Sequence, residues 1–326
     1  MASYYLGIDI GATKSHALIA DEAGCAAGFA KGGPGNPDGV GYPAMSRLIC
    51  GLVEQALASA SLVRADIAGA GFGIGGYDWP SQRADFLTAI RPAGLEVPFE
   101  VVNDAILGLL AGASEGWGIA VVSGTGCNCR GWDRQRSEGR VTGMGLHTGE
   151  AAGASELVEE AIIRVIKAWS RRAPQTQLTR AFMQCTGASS VDELVEWLSN
   201  DRVELGAEAA PLIFQAAESG DGVAQEVIQW AGAELGDMAL GVIRQLGFEK
   251  LDFEVVQVGS LYNGSPRLGE TMLKTIQNEA PGARLVRLSA APVVGGVILG
   301  MEMAGLRPFE LRQKLIESSR GVIPAT

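Results

Sequence analysis

Two short turns in this sequence carry residue types suited to holding phosphate. Gly11-Ala12-Thr13-Lys14 and Ser123-Gly124-Thr125-Gly126 each set glycine beside a threonine hydroxyl between two apolar runs. Glycine-rich turns aim several backbone N–H groups to one side, and such a nest attracts anionic oxygens, with the hydroxyl as a further donor. A single turn of this kind is equally well explained as an ordinary hairpin. Two of them, about 110 residues apart in matching surroundings, suggest two related halves. Asp9 lies two residues before Gly11 in an otherwise apolar run. Burying a carboxylate there is costly without a partner. A divalent cation would be such a partner, since Mg²⁺ binds through one or two carboxylates plus waters and phosphates; a turn-capping role is the alternative. Asn103-Asp104 falls between a short apolar run and a helical pattern. Ligand and catalytic groups collect at the carboxyl ends of strands in open α/β sheets. Asp104 as a helix N-cap is the competing role, and one N-cap-type position can serve both.

The elements that must position these residues are legible as patterns. Tyr4 to Ile10 and Ser15 to Ala20 read as a hairpin, Cys25 to Lys31 as a third strand, and Gly32 to Gly41 as a loop containing Asn36. Met45, Leu48, Ile49, Leu52, Val53, Ala56 and Leu57 recur at helical spacing within Tyr42 to Ala60. Strands follow at Ile67 to Ile74 and Phe99 to Val102, with helices at Pro80 to Ile90 and Ala105 to Ala111. Strands alternating with helices predict an α/β domain with a largely parallel sheet. Near residue 115 the pattern restarts with strands at Gly118 to Val122 and Cys127 to Trp132. The matching strand here lacks an acidic residue, carrying Ala120-Val121-Val122 where the first carries Asp9. From Glu150 to Leu246 the signal is helical, with segments at 156–169, 191–198, 211–218 and 223–246. Phe253 to Val258 and Ala283 to Leu288 read as strands, and Ser265 to Ala280, Val293 to Ala304 and Phe309 to Ser318 as helices. No low-complexity linker separates the halves, so they are expected to touch across a cleft.

Composition narrows the function classes. The chain has 326 residues, of which 26 are basic and 37 acidic, for a net charge of −11. That balance argues against a nucleic-acid or anionic-membrane surface, yet permits a small anionic ligand held by backbone amides. No uncharged apolar run reaches membrane-spanning length, since Val293 to Met301 is ended by Glu302. The first residues lack a basic segment and Asp9 interrupts the first apolar run, so no secretory leader is expected. Cys25, Cys50, Cys127, Cys129 and Cys185 are odd in number and show no CxxC spacing, which points to free thiols in a reducing cytoplasm. Cys127 and Cys129 would share one face of a strand, but no second pair or nearby His completes a tetrahedral metal site.

The ordered set of motifs carries a resemblance. Leu6-Gly-Ile-Asp-Ile-Gly-Ala-Thr-Lys14 resembles the first phosphate motif of the sugar kinase, Hsp70 and actin superfamily, and Val121-Val-Ser-Gly-Thr-Gly-Cys-Asn-Cys-Arg130 the second. Val256-Gln-Val-Gly-Ser260 resembles its adenosine motif, and Ala290 to Gly305 its second connecting helix. Within the superfamily the sequence is most similar to the N-acetylglucosamine kinases and the BadF/BadG/BcrA/BcrD ATPase group, over nearly the whole chain.

The resemblance implies a two-domain actin-like ATPase (ribonuclease H-like) α/β fold with an interdomain cleft closing over ATP and a sugar. The expected domains are 1–114, joined by a C-terminal helix at 306–326, and 115–305 with a helical insertion. The implied activity is transfer of the γ-phosphoryl of Mg-ATP to a hydroxyl of an amino sugar, N-acetylglucosamine or glucosamine. Asp104 matches the catalytic base and Asp9 the Mg²⁺ residue. Gly11, Ala12, Thr13, Lys14, Gly124, Thr125 and Gly126 match phosphate-binding positions, and Gly259 and Ser260 those beside adenosine. On the sugar side, Asn36 falls on the early sugar-binding Asn, and Cys127 and Asn128 on the Ser-Asn contact pair. Gly143-Met144-Gly145 stands where these kinases usually show Gly-Trp-Gly, and Glu150 where they show Asp. The expected partner is a small-molecule sugar, with no nucleic acid and no membrane, and the expected assembly is a homodimer. Other readings are a kinase of another hexose, an ATPase that activates a partner reductase, and an actin-like assembly protein.

Overall fold

The computed structural model of the chain describes residues 3–324. Its first half runs β1 (Tyr4–Ile10), β2 (Ser15–Asp21), β3 (Ala26–Gly32), α1 (Pro37–Val40), α2 (Tyr42–Ala60), β4 (Ile67–Ile74), α3 (Arg83–Ile90), β5 (Phe99–Val102) and α4 (Asp104–Gly112). The second half opens with β6 (Gly118–Ser123), β7 (Cys127–Trp132) and β8 (Glu138–Val141). A helical stretch follows: α5 (Ala154–Trp169), α6 (Gln177–Thr186), α7 (Val191–Ser199), α8 (Ala210–Glu218) and α9 (Gly222–Leu246). The chain closes with β9 (Phe253–Val258), α10 (Pro266–Gln277), β10 (Ala283–Arg287), α11 (Val293–Met303) and α12 (Arg312–Ser319).

The strands form two five-stranded sheets, ordered β3-β2-β1-β4-β5 and β10-β9-β6-β7-β8. Read from the other edge, the second sheet is β8-β7-β6-β9-β10, the order of the first advanced by five strands. The repeat suggested by the two turns is thus a duplicated strand order. The first sheet is mixed rather than largely parallel: β1–β2 and β2–β3 are antiparallel, and β1–β4 and β4–β5 are parallel. The reason is local. Turns of a few residues can only return the chain antiparallel, whereas the crossovers through α2 and α3 allow parallel pairing.

The chain divides into two compact units. One takes residues up to Ala120, Gly131–Ser137 and the chain from Val286 on; the other takes Val121–Arg130 and Glu138–Leu285. This differs from a boundary at 115–305, because α11 belongs to the first unit. Its glycine-rich face lies directly on the strand backbones: a Cβ at Gly7 would come within 2.5 Å of the Val293 carbonyl oxygen, and one at Gly71 would overlap the Gly296 carbonyl oxygen. Residues 131–137 also join the first unit. There the Arg136 guanidinium lies over the Trp132 and Phe309 rings, pairs with Glu302 and donates to the Gly116 carbonyl. The core of the first unit comprises Leu6, Ile8, Ile10, Ile19, Phe72 and Ile74 from the sheet, covered by Met45, Ile49, Leu52 and Val53 of α2. In the second unit, α9 and α10 cross closely at Gly232 and Gly236, and Asp221 caps α9 while accepting from Thr176 Oγ1 and Gln177 N. Among the described residues no helix is long and apolar enough to cross a membrane.

Candidate functional site

In the first unit the parallel register brings three strand ends together. Asp9 lies opposite Gly73 and Ile10 opposite Ile74, while Gly73 lies opposite Val102. The carboxyl ends of β1, β4 and β5 therefore present Asp9 to Gly11, Gly75-Gly76 and Asn103-Asp104 side by side, as expected for a ligand site in a sheet of this type. The Gly75 N–H donates to the Ile10 carbonyl at 2.8 Å, and the Gly35 N–H to the Gly11 carbonyl at 3.0 Å. A Cβ at Gly75 would sit 3.2 Å from Asp104 Oδ2, and one at Gly76 2.5 Å from Asn36 Oδ1 and 2.9 Å from Asp38 Oδ2. Gly76 has φ +86°, a conformation that L side chains rarely adopt. The glycine pair thus lets Asn36, Asp38 and Asp104 approach one short turn.

Each polar group there has a local cause for its orientation. Asn36 is the N-cap of α1, its Oδ1 accepting from Asp38 N at 2.9 Å. Asn103, not Asp104, is the N-cap of α4: its Oδ1 accepts from Ala105 N, and its Nδ2 donates to the Tyr77 carbonyl and Asp78 Oδ1. Asp104 is the first helical residue, half-buried, in the turn where the helix dipole favours an anion. The Asp9 carboxylate is 13% exposed on its side chain, with Oδ2 3.9 Å from His16 Nδ1 across the β1–β2 pair. His16 Nδ1 is itself buried without a hydrogen-bond partner. Among the described residues no group of three or more His, Cys, Asp or Glu could hold a metal by itself. A single carboxylate beside an open turn fits a Mg²⁺ ion that takes its other ligands from water and phosphate. Ala12, Thr13 and Lys14 are exposed on that turn, while the Gly11 N–H closes it by donating to the Lys14 carbonyl at 3.1 Å.

The second unit carries the other turn. Thr125 and Gly126 are exposed, and the Gly124 N–H closes the turn onto the Gly126 carbonyl at 2.9 Å. So Gly11 and Gly124 shape their turns with the amides that a phosphate would otherwise take. The N-terminus of α5 is fastened to this turn: Ala154 N donates to the Gly124 carbonyl and Ser155 N to the Thr125 carbonyl. Gly259, at φ +107°, follows β9 with its Cα packed against the Ser123 carbonyl, and Ser260 comes next. Gly259 and Ser260 therefore adjoin the turn at Ser123 to Gly126.

The loop that holds the remaining sugar-side positions is tightly internal. Gly145 and Glu150 form a bridge with two backbone hydrogen bonds. Gly143, at φ +74°, lies against the Cys127 carbonyl with no room for a Cβ. Glu150 Oε2 accepts from Thr142 Oγ1, Gly143 N and Met144 N at 3.1, 2.8 and 3.2 Å. That carboxylate oxygen thus pins its own loop. Met144 is 56% exposed. Cys127 Sγ accepts from Ala152 N at 3.2 Å and faces the Glu150 carbonyl at 3.6 Å. Burial pushes the Cys127 thiol up to about 12, with nearby Glu156 adding to the effect, and burial raises Cys129 further. Both should resist alkylation in the folded protein at pH 8 while exposed Cys185 reacts, read by mass spectrometry. Labelling of Cys127 as fast as Cys185 would contradict this burial.

Sequence reasoning did not single out Asp38, Gly75-Gly76, Asn103 as a cap, or the Arg130–Glu138 pair. The Gly73-Ile-Gly-Gly76 run after a buried strand was the signal available for the glycines.

A candidate N-acetylglucosamine kinase from Chromobacterium violaceum superposes with a TM-score of 0.68 at 22% identity, covering 91% of this chain and 98% of that one. N-acetyl-D-glucosamine kinase of Dictyostelium discoideum is 25% identical over 213 residues, 64% of this chain and 67% of the relative. N-acetylmuramic acid/N-acetylglucosamine kinase of Clostridium acetobutylicum is 22% identical over 298 residues, 91% and 97% of the two chains. The fold is the two-domain α/β fold of the actin-like sugar kinases. Residues 6–300 match the model of one family, and the chain belongs to it: the BadF/BadG/BcrA/BcrD ATPase family.

Proposed function

We propose that this protein is an ATP-dependent sugar kinase whose acceptor is an amino sugar, N-acetylglucosamine or glucosamine. The observation that carries this reading is the convergence of Asp104, Asn36 and the Asp9 strand end on the Gly75-Gly76 turn. A sugar hydroxyl is a weak nucleophile, and a carboxylate within hydrogen-bond reach takes its proton as the phosphoryl group transfers. Asp104 fills that role, and Asn36 with its oxygen tied to Asp38 N offers the hydroxyl-bearing sugar its amide N–H groups. Thr13 and Thr125 offer hydroxyls to phosphates, and Gly259 and Ser260 border the adenosine. Asp9 would hold Mg²⁺, which supplies charge neutralisation on the phosphates when bound. The amino-sugar assignment is supported by the names of both curated relatives.

The partner-activating ATPase is the weaker reading. A four-thiolate cluster shared evenly by two subunits needs two accessible thiolates from each, whereas Cys127 and Cys129 are buried, burial raising both thiols, and Cys185 alone is exposed among the described cysteines.

The test is ADP release with Mg-ATP across N-acetylglucosamine, glucosamine, N-acetylmannosamine, N-acetylmuramic acid, glucose and a no-sugar control. Release stimulated by an amino sugar is the expected result. Equal release in every well, the control included, would sink the kinase reading.

A further inference from the structure

Of the two histidines, His147 is exposed and His16 is buried. His16 stands on β2 directly opposite Asp9 of β1. β2 is paired on both edges, to β1 and to β3, so its backbone is held. The imidazole lies tilted against the Phe29 ring, with centroids 5.5 Å apart. His16 is 5% exposed. Its Nδ1 is buried with no hydrogen-bond partner, and Asp9 Oδ2 is 3.9 Å away. The neighbouring Ser15 Oγ also lacks a partner, but it lies on the opposite face of β2, beside Gly35, and so does not serve Asp9.

A buried polar nitrogen left unpaired is costly, and each one calls for a cause. Facing a carboxylate, an imidazole nitrogen gains only as a donor; as an acceptor it would set lone pair against lone pair. A hydrogen bond needs about 2.9 Å, so the gap closes by a side-chain movement of about 1 Å. Directly opposed residues on paired strands allow this without moving the backbone. We infer that His16 is a positioning residue for Asp9: its Nδ1–H closes onto Oδ2 and fixes the rotation of the carboxylate that takes the divalent cation. Carboxylates that ligate metals are themselves held by such outer hydrogen bonds, and losing one costs about 10–100-fold in metal affinity. The inference rests on Asp9 being the cation residue of the proposed kinase.

The test is Mn²⁺ binding to the enzyme–ADP complex in the absence of sugar, with free ion counted by electron paramagnetic resonance. Mn²⁺ takes the same carboxylate and water oxygens as Mg²⁺. His16→Leu keeps bulk and removes the donor. It is expected to weaken Mn²⁺ binding at least about tenfold, whereas His16→Asn, whose amide nitrogen takes the place of Nδ1, should stay within about threefold of wild type. Adding His16→Leu to Asp9→Asn should weaken binding less than about twofold further, because His16 acts through Asp9. A fall in Tm with unchanged Mn²⁺ affinity is what a packing role against Phe29 predicts, and it overturns the inference. Unchanged affinity in His16→Leu overturns it whatever the Tm. His16→Asn losing as much as His16→Leu overturns it too, and a tenfold loss in His16→Asn does so alone if His16→Leu fails to fold. A full further loss in the double variant would place the action of His16 elsewhere and overturn it. Wild-type enzyme that binds no Mn²⁺ beyond what ADP itself holds overturns the role of Asp9 and this inference together, while the sugar panel judges the kinase reading separately.

Discussion

Asp104→Asn is expected to lower sugar phosphorylation by about 10²–10⁴-fold, the usual contribution of a positioned general base, while leaving nucleotide binding within about twofold. The substitution is close to isosteric and leaves Asn103 in place as the cap of α4, so the helix start is preserved. The carboxylate beside Gly75 loses its basicity, together with the charge that the first turn of α4 favours. The measurement is kcat and KM for sugar and ATP, with nucleotide affinity determined separately by calorimetry. Full turnover by the variant would remove Asp104 from the role of base. Loss of nucleotide binding together with turnover would instead show that the site had been disordered.

The second large effect is on stability. Gly7→Ala would place a methyl group within 2.5 Å of the Val293 carbonyl oxygen, in a strand whose neighbour helix has no side chain there to move aside. Overpacking in a dense interior costs about 1–3 kcal/mol even when side chains can adjust. Here the obstruction is backbone, so about 3 kcal/mol or more is expected, a fall in Tm of roughly 6–12 °C for a unit of this size. Gly33→Ala is the control, since nothing lies within 4 Å of a Cβ there; it should stay within about 0.5 kcal/mol of wild type. Thermal unfolding of both variants checks the pair, and equal Tm values would mean that α11 can lift from β1 without cost.

Much of this architecture was legible because its signals are local. Apolar runs such as Tyr4–Ile10 and Ile67–Ile74, and the helical spacing of Met45 to Leu57, identify their elements without tertiary information. β8 escaped notice because Glu138-Gly-Arg-Val141 has one strongly apolar residue; what makes it a strand is its place beside β7. α6 was also missed, since its buried face is only Leu178 and Phe182. The loop at residues 32–41 contains a short helix, α1, begun by the Asn36 cap. In the candidate site, Asp9, the two turns and Asp104 were visible because residue type and strand-end position coincide. Gly75-Gly76 were not, because their proximity to Asp104 arises from the parallel register of β1, β4 and β5, and Asp38 is brought in only by the Asn36 cap of α1. The role of Glu150 likewise depends on a loop folding back on itself, which leaves no periodic mark in the sequence.

The packing of α11 on bare strand backbone bears on the order in which the chain is made. Domains generally fold as units while the N-terminal part leads during synthesis. All five strands of the first sheet exist once Val102 has been added, and each pairs with others from the same stretch. Yet the helix that fits the glycine-lined face of β1 and β4 is drawn from Val293–Met303. The nascent first sheet therefore carries a glycine-lined face that Leu107 of α4 covers only at Gly73 until α11 is made at the end of translation. A ribosome stalled before Val293 would hold a chain whose first sheet is fully stranded and still unfinished.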